Sequence, residues 1–105
     1  MSEIKKINQD VLDDANKIFK LLGNPVRLQI LYILSQEKLN VGSIAEILEL
    51  EQSATSHQLS LLKEAQLVTS ERDGKSIYYQ LDDNHVSHII EDTLKHVEHS
   101  QKHKK

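Results

Sequence analysis

Gln52-Ser53-Ala54-Thr55-Ser56-His57-Gln58-Leu59-Ser60-Leu61-Leu62-Lys63-Glu64-Ala65 decides the reading of this chain. Apolar residues at Ala54, Leu59, Leu61, Leu62 and Ala65 recur at helical spacing, while the first turns are polar. Ser53 reads as the N-cap of a helix running to about Ala65. Just upstream, Leu50-Glu51-Gln52-Ser53 is a break, and Ile44, Ala45, Ile47 and Leu48 form a short helix before it. Ser43 suits that helix as N-cap, with Glu46 as its capping-box partner. Downstream, residues 67–72 and 75–81 are rich in β-branched and aromatic residues, with Asp73-Gly74 between them. Asp-Gly between such runs signals a hairpin. A short helix, a turn, a polar-headed helix and a hairpin describe a winged helix-turn-helix.

Further out, two helices precede this unit. Val11, Ala15, Ile18, Phe19 and Leu22 share one face of a helix over residues 10–22. Gly23-Asn24-Pro25 ends it: Gly and Asn suit a left-handed cap, and Pro suits the next first turn. Residues 26–35 are apolar on most sides, which places that helix at the centre of the core. A last helix runs from about Asp83 to Ser100, and residues 101–105 read as a frayed tail. The expected fold class is mainly α with a β-hairpin. Residues 1–105 read as a single domain, with an ordered core over 8–100 and short tails.

Composition narrows the function. The 105 residues are 38% hydrophobic and 28% charged, and no stretch approaches the ~18 apolar residues of a membrane span. The N-terminus has no apolar signal core, so a cytoplasmic protein without membrane attachment is expected. Cysteine is absent, so any metal must be held by nitrogen and oxygen. The net charge of −3 is unusual for a nucleic-acid binder, because phosphate contacts need Lys and Arg. What matters is local charge, and acids such as Asp10, Asp13 and Asp14 lie far from the hairpin in sequence. No Gly-rich loop or nucleophile pair suggests an enzyme.

A recognition helix enters the major groove by its N-terminal part. Gln52, Ser53, Thr55, Ser56, His57 and Gln58 supply polar groups there. Gln can bond adenine N6 and N7, Ser and Thr can bond phosphate or bases, and open N–H groups at a helix start favour an anion. Lys63, Arg72 and Lys75 are the phosphate candidates, the last two flanking the hairpin turn. A polar first turn can also be no more than a solvated helix start, and its setting beside a hairpin favours the DNA reading.

Three segments carry a resemblance. Residues 53–63 resemble the recognition-helix signature of the ArsR/SmtB family of metal-sensing repressors. Leu22-Gly23-Asn24-Pro25-Val26-Arg27-Leu28-Gln29-Ile30-Leu31 resembles that family's first helix junction, and Arg72-Asp73-Gly74-Lys75-Ser76-Ile77-Tyr78-Tyr79 its wing. The resemblance spans roughly residues 10–100. It implies a homodimer, joined through its first and last helices, that binds operator double-stranded DNA.

Five of the six histidines fall within residues 85–103. At about 100° per residue, His85, His88, Asp92, His96, His99 and His103 form one stripe about 80° wide. Val86, Ile89, Ile90, Thr93 and Val97 form the adjoining face. His96 and His99, three apart, can hold one ion. His85 lies eleven residues from His96, about 16 Å along the axis, so one chain cannot bring both to a metal. Two antiparallel copies crossing near Asp92 would form two identical sites. One branch of the family uses an Asp-x-His and a His-x-x-His on its last helix to sense zinc. By resemblance, the ligands here are Asp83, His85, His96 and His99.

In an ideal helix Asp83 falls on the opposite face, so it can ligate only at or before the helix start. His88 lies on the stripe and is the alternative to Asp83. Four N and O ligands suit tetrahedral Zn2+, with Co2+ as a mimic. The expected function is a metal-responsive repressor: zinc weakens DNA binding and releases metal efflux or resistance genes. Other readings are an ArsR-type repressor answering a non-metal signal, with incidental histidines, and a winged-helix protein-interaction module.

Overall fold

The computed structural model describes residues 3–102. Eight elements follow in order: α1 (Gln9–Leu22), α2 (Pro25–Leu34), β1 (Leu39–Asn40), α3 (Val41–Leu48), α4 (Gln52–Glu64), β2 (Val68–Asp73), β3 (Ser76–Leu81) and α5 (His85–Lys102). This is a winged helix-turn-helix with a small antiparallel sheet in the order β1-β3-β2. Among the described residues no helix is long and apolar enough to cross a membrane.

The central helix is α2, as its all-round apolar sequence requires. Ile30 and Leu31 are fully buried, and α1, α3, α4 and α5 all pack against α2. Ile44 of α3, Leu59 and Leu62 of α4, Val68 of β2 and Ile90 of α5 join them in the core, together with Leu22, Leu34 and Leu67. Burying side chains of this kind contributes about 1.5–3 kcal/mol each.

Local chemistry sets the boundaries. Asn24 caps α2, its Oδ1 accepting the Arg27 N–H at 3.0 Å, and Pro25 opens the helix. Gly23 has φ −77°, so the first junction is not left-handed as expected; the N-cap of α2 makes the turn instead. Asn40, not Ser43, caps α3, its Oδ1 accepting the Ser43 N–H at 2.8 Å. The segment around Asn40 is also more than a break: Leu39 pairs with Tyr79 and Asn40 with Tyr78, which ties the short helix to the hairpin.

Both helices of the helix-turn-helix end in left-handed turns without glycine. Glu49 (φ 56°) follows α3, with Leu50 N–H donating to Ala45 O at 2.8 Å and Glu49 N–H to Glu46 O at 3.2 Å. Gln66 (φ 64°) follows α4, with Leu67 N–H donating to Leu62 O and Gln66 N–H to Lys63 O, both at 2.9 Å. These pairs are Schellman motifs, and the buried Leu62 and Leu67 supply the accompanying apolar contact.

In the hairpin Asp73 pairs with Ser76, so the two loop residues are Gly74 and Lys75. The turn sits one residue later than Asp73-Gly74. Gly74 has φ 67°, the conformation a two-residue hairpin loop needs from a Gly in first position.

The last helix begins at His85 rather than Asp83 and continues through Lys102, so Gln101 and Lys102 are helical rather than frayed. His103 and the rest of the expected tail lie outside the described residues, as do the first two residues. The radius of gyration is 16.4 Å, against ~13 Å for a compact chain of about 100 residues. Molecular extents of 61 × 41 × 20 Å show the same elongation.

Candidate functional site

Helix α4 starts at Gln52, one residue before Ser53, and Glu51 at its N-cap makes no side-chain capping bond. The first intrahelical bond runs from Thr55 N–H to Glu51 O at 3.0 Å. The N–H groups of the opening turn therefore keep no side-chain cap, which leaves the helix start electropositive. Gln52, Ser53, Ser56 and His57 are exposed around it.

Thr55 departs from expectation. Its side chain is 0% exposed and its hydroxyl donates to Glu51 O at 2.9 Å. At N4 of this helix the residue is turned away from solvent, apart from the exposed polar groups of the helix start. Gln58 is half-buried, and its Oε1 accepts from Arg27 Nη1 at 3.0 Å. Sequence spacing assigned Gln58 to the outer surface and missed this partner 31 residues away.

The wing separates its charges. Ser70 pairs with Tyr79 and Arg72 with Ile77, whereas Glu71 pairs with Tyr78 and Asp73 with Ser76. Side chains alternate along a strand, so Ser70 and Arg72 share one face and Glu71 and Asp73 the other. Lys63 Nζ donates to Ser70 Oγ at 2.6 Å, which brings the α4 lysine onto the Arg72 face. Lys75 is exposed in the hairpin loop. Lys63 and Arg72 thus lie toward one face of the wing, with Glu71 and Asp73 on the other.

Helix α5 turns Val86, Ser87, Ile90 and Leu94 toward the core. The expected apolar face is thus divided: Ile89, Thr93 and Val97 lie next to the core side but stay exposed in the single chain, Val97 at 43%. They run between the core side and the histidine stripe. Helix α1 has a matching bare surface, with Val11 59% and Phe19 57% exposed.

The histidines His85, His88, His96 and His99 are all exposed on α5. Asp83 lies just before the helix. Its Oδ1 accepts the His85 backbone N–H at 2.9 Å and stands 3.3 Å from His85 Nδ1. That backbone bond chiefly holds the Asp83 carboxyl below the usual carboxylate range. Asp83 and His85 are therefore brought together at one end of α5, with His96 and His99 near the other. Among the described residues no three His, Asp or Glu side chains of this one chain could hold a metal ion.

Comparison with known proteins agrees with the fold. Residues 24–70 match the family described as "Bacterial regulatory protein, arsR family". The chain is similar to the transcriptional repressor SmtB homolog of Synechocystis sp., 31% identical over 95% of this chain and 80% of that protein. It is also similar to the cadmium resistance transcriptional regulatory protein CadC homolog of Staphylococcus aureus, 39% identical over 79% of this chain and 69% of the relative. Among solved structures, the homodimeric winged helix-turn-helix DNA-binding domain Mb0332 from Mycobacterium bovis superposes with a TM-score of 0.84 at 27% identity. That match covers 98% of this chain and 95% of the other.

Proposed function

We propose, from the premise that this chain belongs to the arsR family of bacterial regulatory proteins, that it is a dimeric transcriptional repressor released from operator DNA by zinc. Its relatives are transcriptional regulators rather than enzymes. Residues 1–105 act as one domain. Two copies join through the bare apolar surfaces of α1 and α5, around Val11, Phe19, Ile89 and Val97. The structural neighbour is itself homodimeric.

Each reading head consists of Gln52, Ser53, Ser56, His57 and Gln58 on α4, with Lys63, Arg72 and Lys75 supplying phosphate contacts. The uncapped start of α4 adds N–H donors for a phosphate.

The observation that carries the metal reading is the pairing of Asp83 with His85 at the start of α5. An ideal helix separates these two side chains; the break before His85 joins them. Antiparallel α5 helices of two copies would set Asp83 and His85 of one against His96 and His99 of the other. Three imidazoles and one carboxylate suit tetrahedral Zn2+, and Co2+ as its spectroscopic mimic. The ion would act as an effector: it bridges the two copies and favours a dimer geometry in which the heads miss the half-site spacing. By linkage, DNA weakens zinc binding by the same factor as zinc weakens DNA binding.

The deciding experiment is a titration of operator binding with and without zinc. Zinc should lower the affinity by about 5- to 150-fold, the usual range of such couplings. His96→Ala should abolish that response and keep DNA binding. Unchanged operator affinity with zinc would overturn the effector role, and a fully responsive His96→Ala would overturn the ligand set.

A further inference from the structure

We propose that Lys17 and Lys20 of α1, together with Arg27 of α2, form a second contact for the DNA phosphate backbone, on the groove wall opposite the one met by the wing. The proposal rests on the DNA-reading role given to α4 above.

Helix α4 has two flanks. At about 100° per residue, Gln58 and Lys63 lie about 140° apart around it. The buried Thr55, Leu59 and Leu62 fall between them on the core side. The exposed Ser53, His57 and Ser60 fall between them on the outer side. Lys63 Nζ donates to Ser70 Oγ at 2.6 Å, so its flank carries the wing. Gln58 Oε1 accepts from Arg27 Nη1 at 3.0 Å, and Arg27 Nε donates in turn to Leu21 O of α1 at 2.9 Å. The other flank therefore carries α2 and α1.

That second flank holds a cleft of about 450 Å³ between α1, α2 and α4, where Lys17, Lys20, Arg27 and Glu64 surround the apolar Leu61 and Ala65. Lys17 and Lys20 are exposed and one turn apart on α1, and Arg27 is half-buried. Among the described residues none of these three cations forms an ion pair. Glu64 is the one carboxylate at the cleft, so three positive charges stand there against one, in a chain of net charge −3. Arg27 engages two of its five N–H groups on Leu21 and Gln58, and the others remain for an anion. Like charges gathered without counter-charges favour an anionic partner.

The groove supplies that partner. A helix with its side chains is about 10–12 Å across, and the major groove is about 12 Å wide. A reading helix that fills the groove has phosphates along both flanks. Lys63, Arg72 and Lys75 serve the wing flank, and Lys17, Lys20 and Arg27 serve the other. The two ammoniums are point charges on flexible stems, which suits a line of phosphates better than one enclosed ligand.

The test is fluorescence anisotropy of the full-length protein at several salt concentrations, on duplex DNA selected from a random-sequence pool. Each neutralised phosphate steepens the fall of log affinity with log salt by about 0.9. Lys17→Gln and Lys20→Gln should each flatten the slope by about that much. Between about 50 and 200 mM salt the double variant should therefore lose about tenfold less affinity than the wild type. Lys102→Gln removes the same charge from the last residue of α5 and should keep the wild-type slope. Neutral methylphosphonates, placed one at a time along the duplex, locate the contact. The wild type should weaken at positions to which the double variant is indifferent.

An unchanged slope in the double variant would overturn the proposal. So would an equal flattening in Lys102→Gln, which marks net charge alone, or a double variant that follows the wild type at every methylphosphonate. If the wild type shows no salt-dependent binding to duplex DNA, the DNA-reading role fails and the proposal with it. If the wild type binds with a steep slope and the double variant keeps that slope, only the proposal fails.

Discussion

Asp83 accepts the backbone N–H of His85 at 2.9 Å, and the same oxygen stands 3.3 Å from the His85 ring nitrogen. The bond is a local Asx turn, which favours the carboxylate form and sets it beside the imidazole. For the proposed metal site this places one oxygen and one nitrogen donor together at the start of α5. Asp83→Ala should weaken zinc binding by at least about tenfold, and His88→Ala should leave it nearly unchanged. Chelator competition measures both. The opposite ranking would make His88 the fourth ligand.

Phe19 and Val97 are bare in the single chain, although each lies on a regular apolar stripe. Contiguous exposed apolar surface marks an interaction site. Phe19→Glu or Val97→Glu should shift the protein to monomers in sedimentation velocity. Zinc binding should fall in parallel, because the proposed site draws its ligands from two copies. Tight zinc binding by a monomer would contradict the shared site.

Thr55 is buried on α4 and Ser56 is exposed on it. Thr55→Val removes one buried hydrogen bond, but Glu51 O keeps its bond from the Thr55 N–H. The expected loss is about 0.5–1.5 kcal/mol of stability in denaturant unfolding, with operator affinity retained. Ser56→Ala should do the reverse, weakening operator binding while changing stability by less than about 0.5 kcal/mol.

Arg72 and Lys75 belong to the wing and not to the reading helix. A phosphate contact carries little sequence information and much salt dependence. Arg72→Ala and Lys75→Ala should each weaken all sequences alike and reduce the slope of log affinity against log salt by about 1. Fluorescence anisotropy at several salt concentrations reads this directly. A salt-independent interaction with duplex DNA, or none, would favour a protein-interaction module.

Glu49 holds a left-handed conformation that costs a non-glycine residue about 1–2 kcal/mol. Glu49→Gly relieves the strain but loosens the unfolded chain, so stability should stay level or rise by up to about 1 kcal/mol. Glu49→Val should destabilise by more than about 1 kcal/mol, since a β-branched residue fits this conformation worst. Thermal unfolding ranks the three.

Much of this protein is legible in its sequence because the signals are local. Apolar period along the chain located all five helices, and the run of β-branched and aromatic residues located the hairpin. The all-apolar α2 could only be central. The spacing of His96 and His99, and the absence of cysteine, already limited the proposed metal site to nitrogen and oxygen donors.

The tertiary structure decided what depends on partners far apart in the chain. No local pattern could show that Gln58 is held by Arg27, because 31 residues separate them. Thr55 looked like its polar neighbours, and only the packed fold shows it fully buried. Strand β1 is two residues long and exists because β3 offers it a partner. The left-handed turns at Glu49 and Gln66 lack glycine, so backbone bonds to α3 and α4 reveal them and composition does not. Asp83 could reach His85 only if α5 began after it, and the chain does break there. Periodicity assigns a side chain to a face, and packing decides whether that face meets the core, another side chain or solvent.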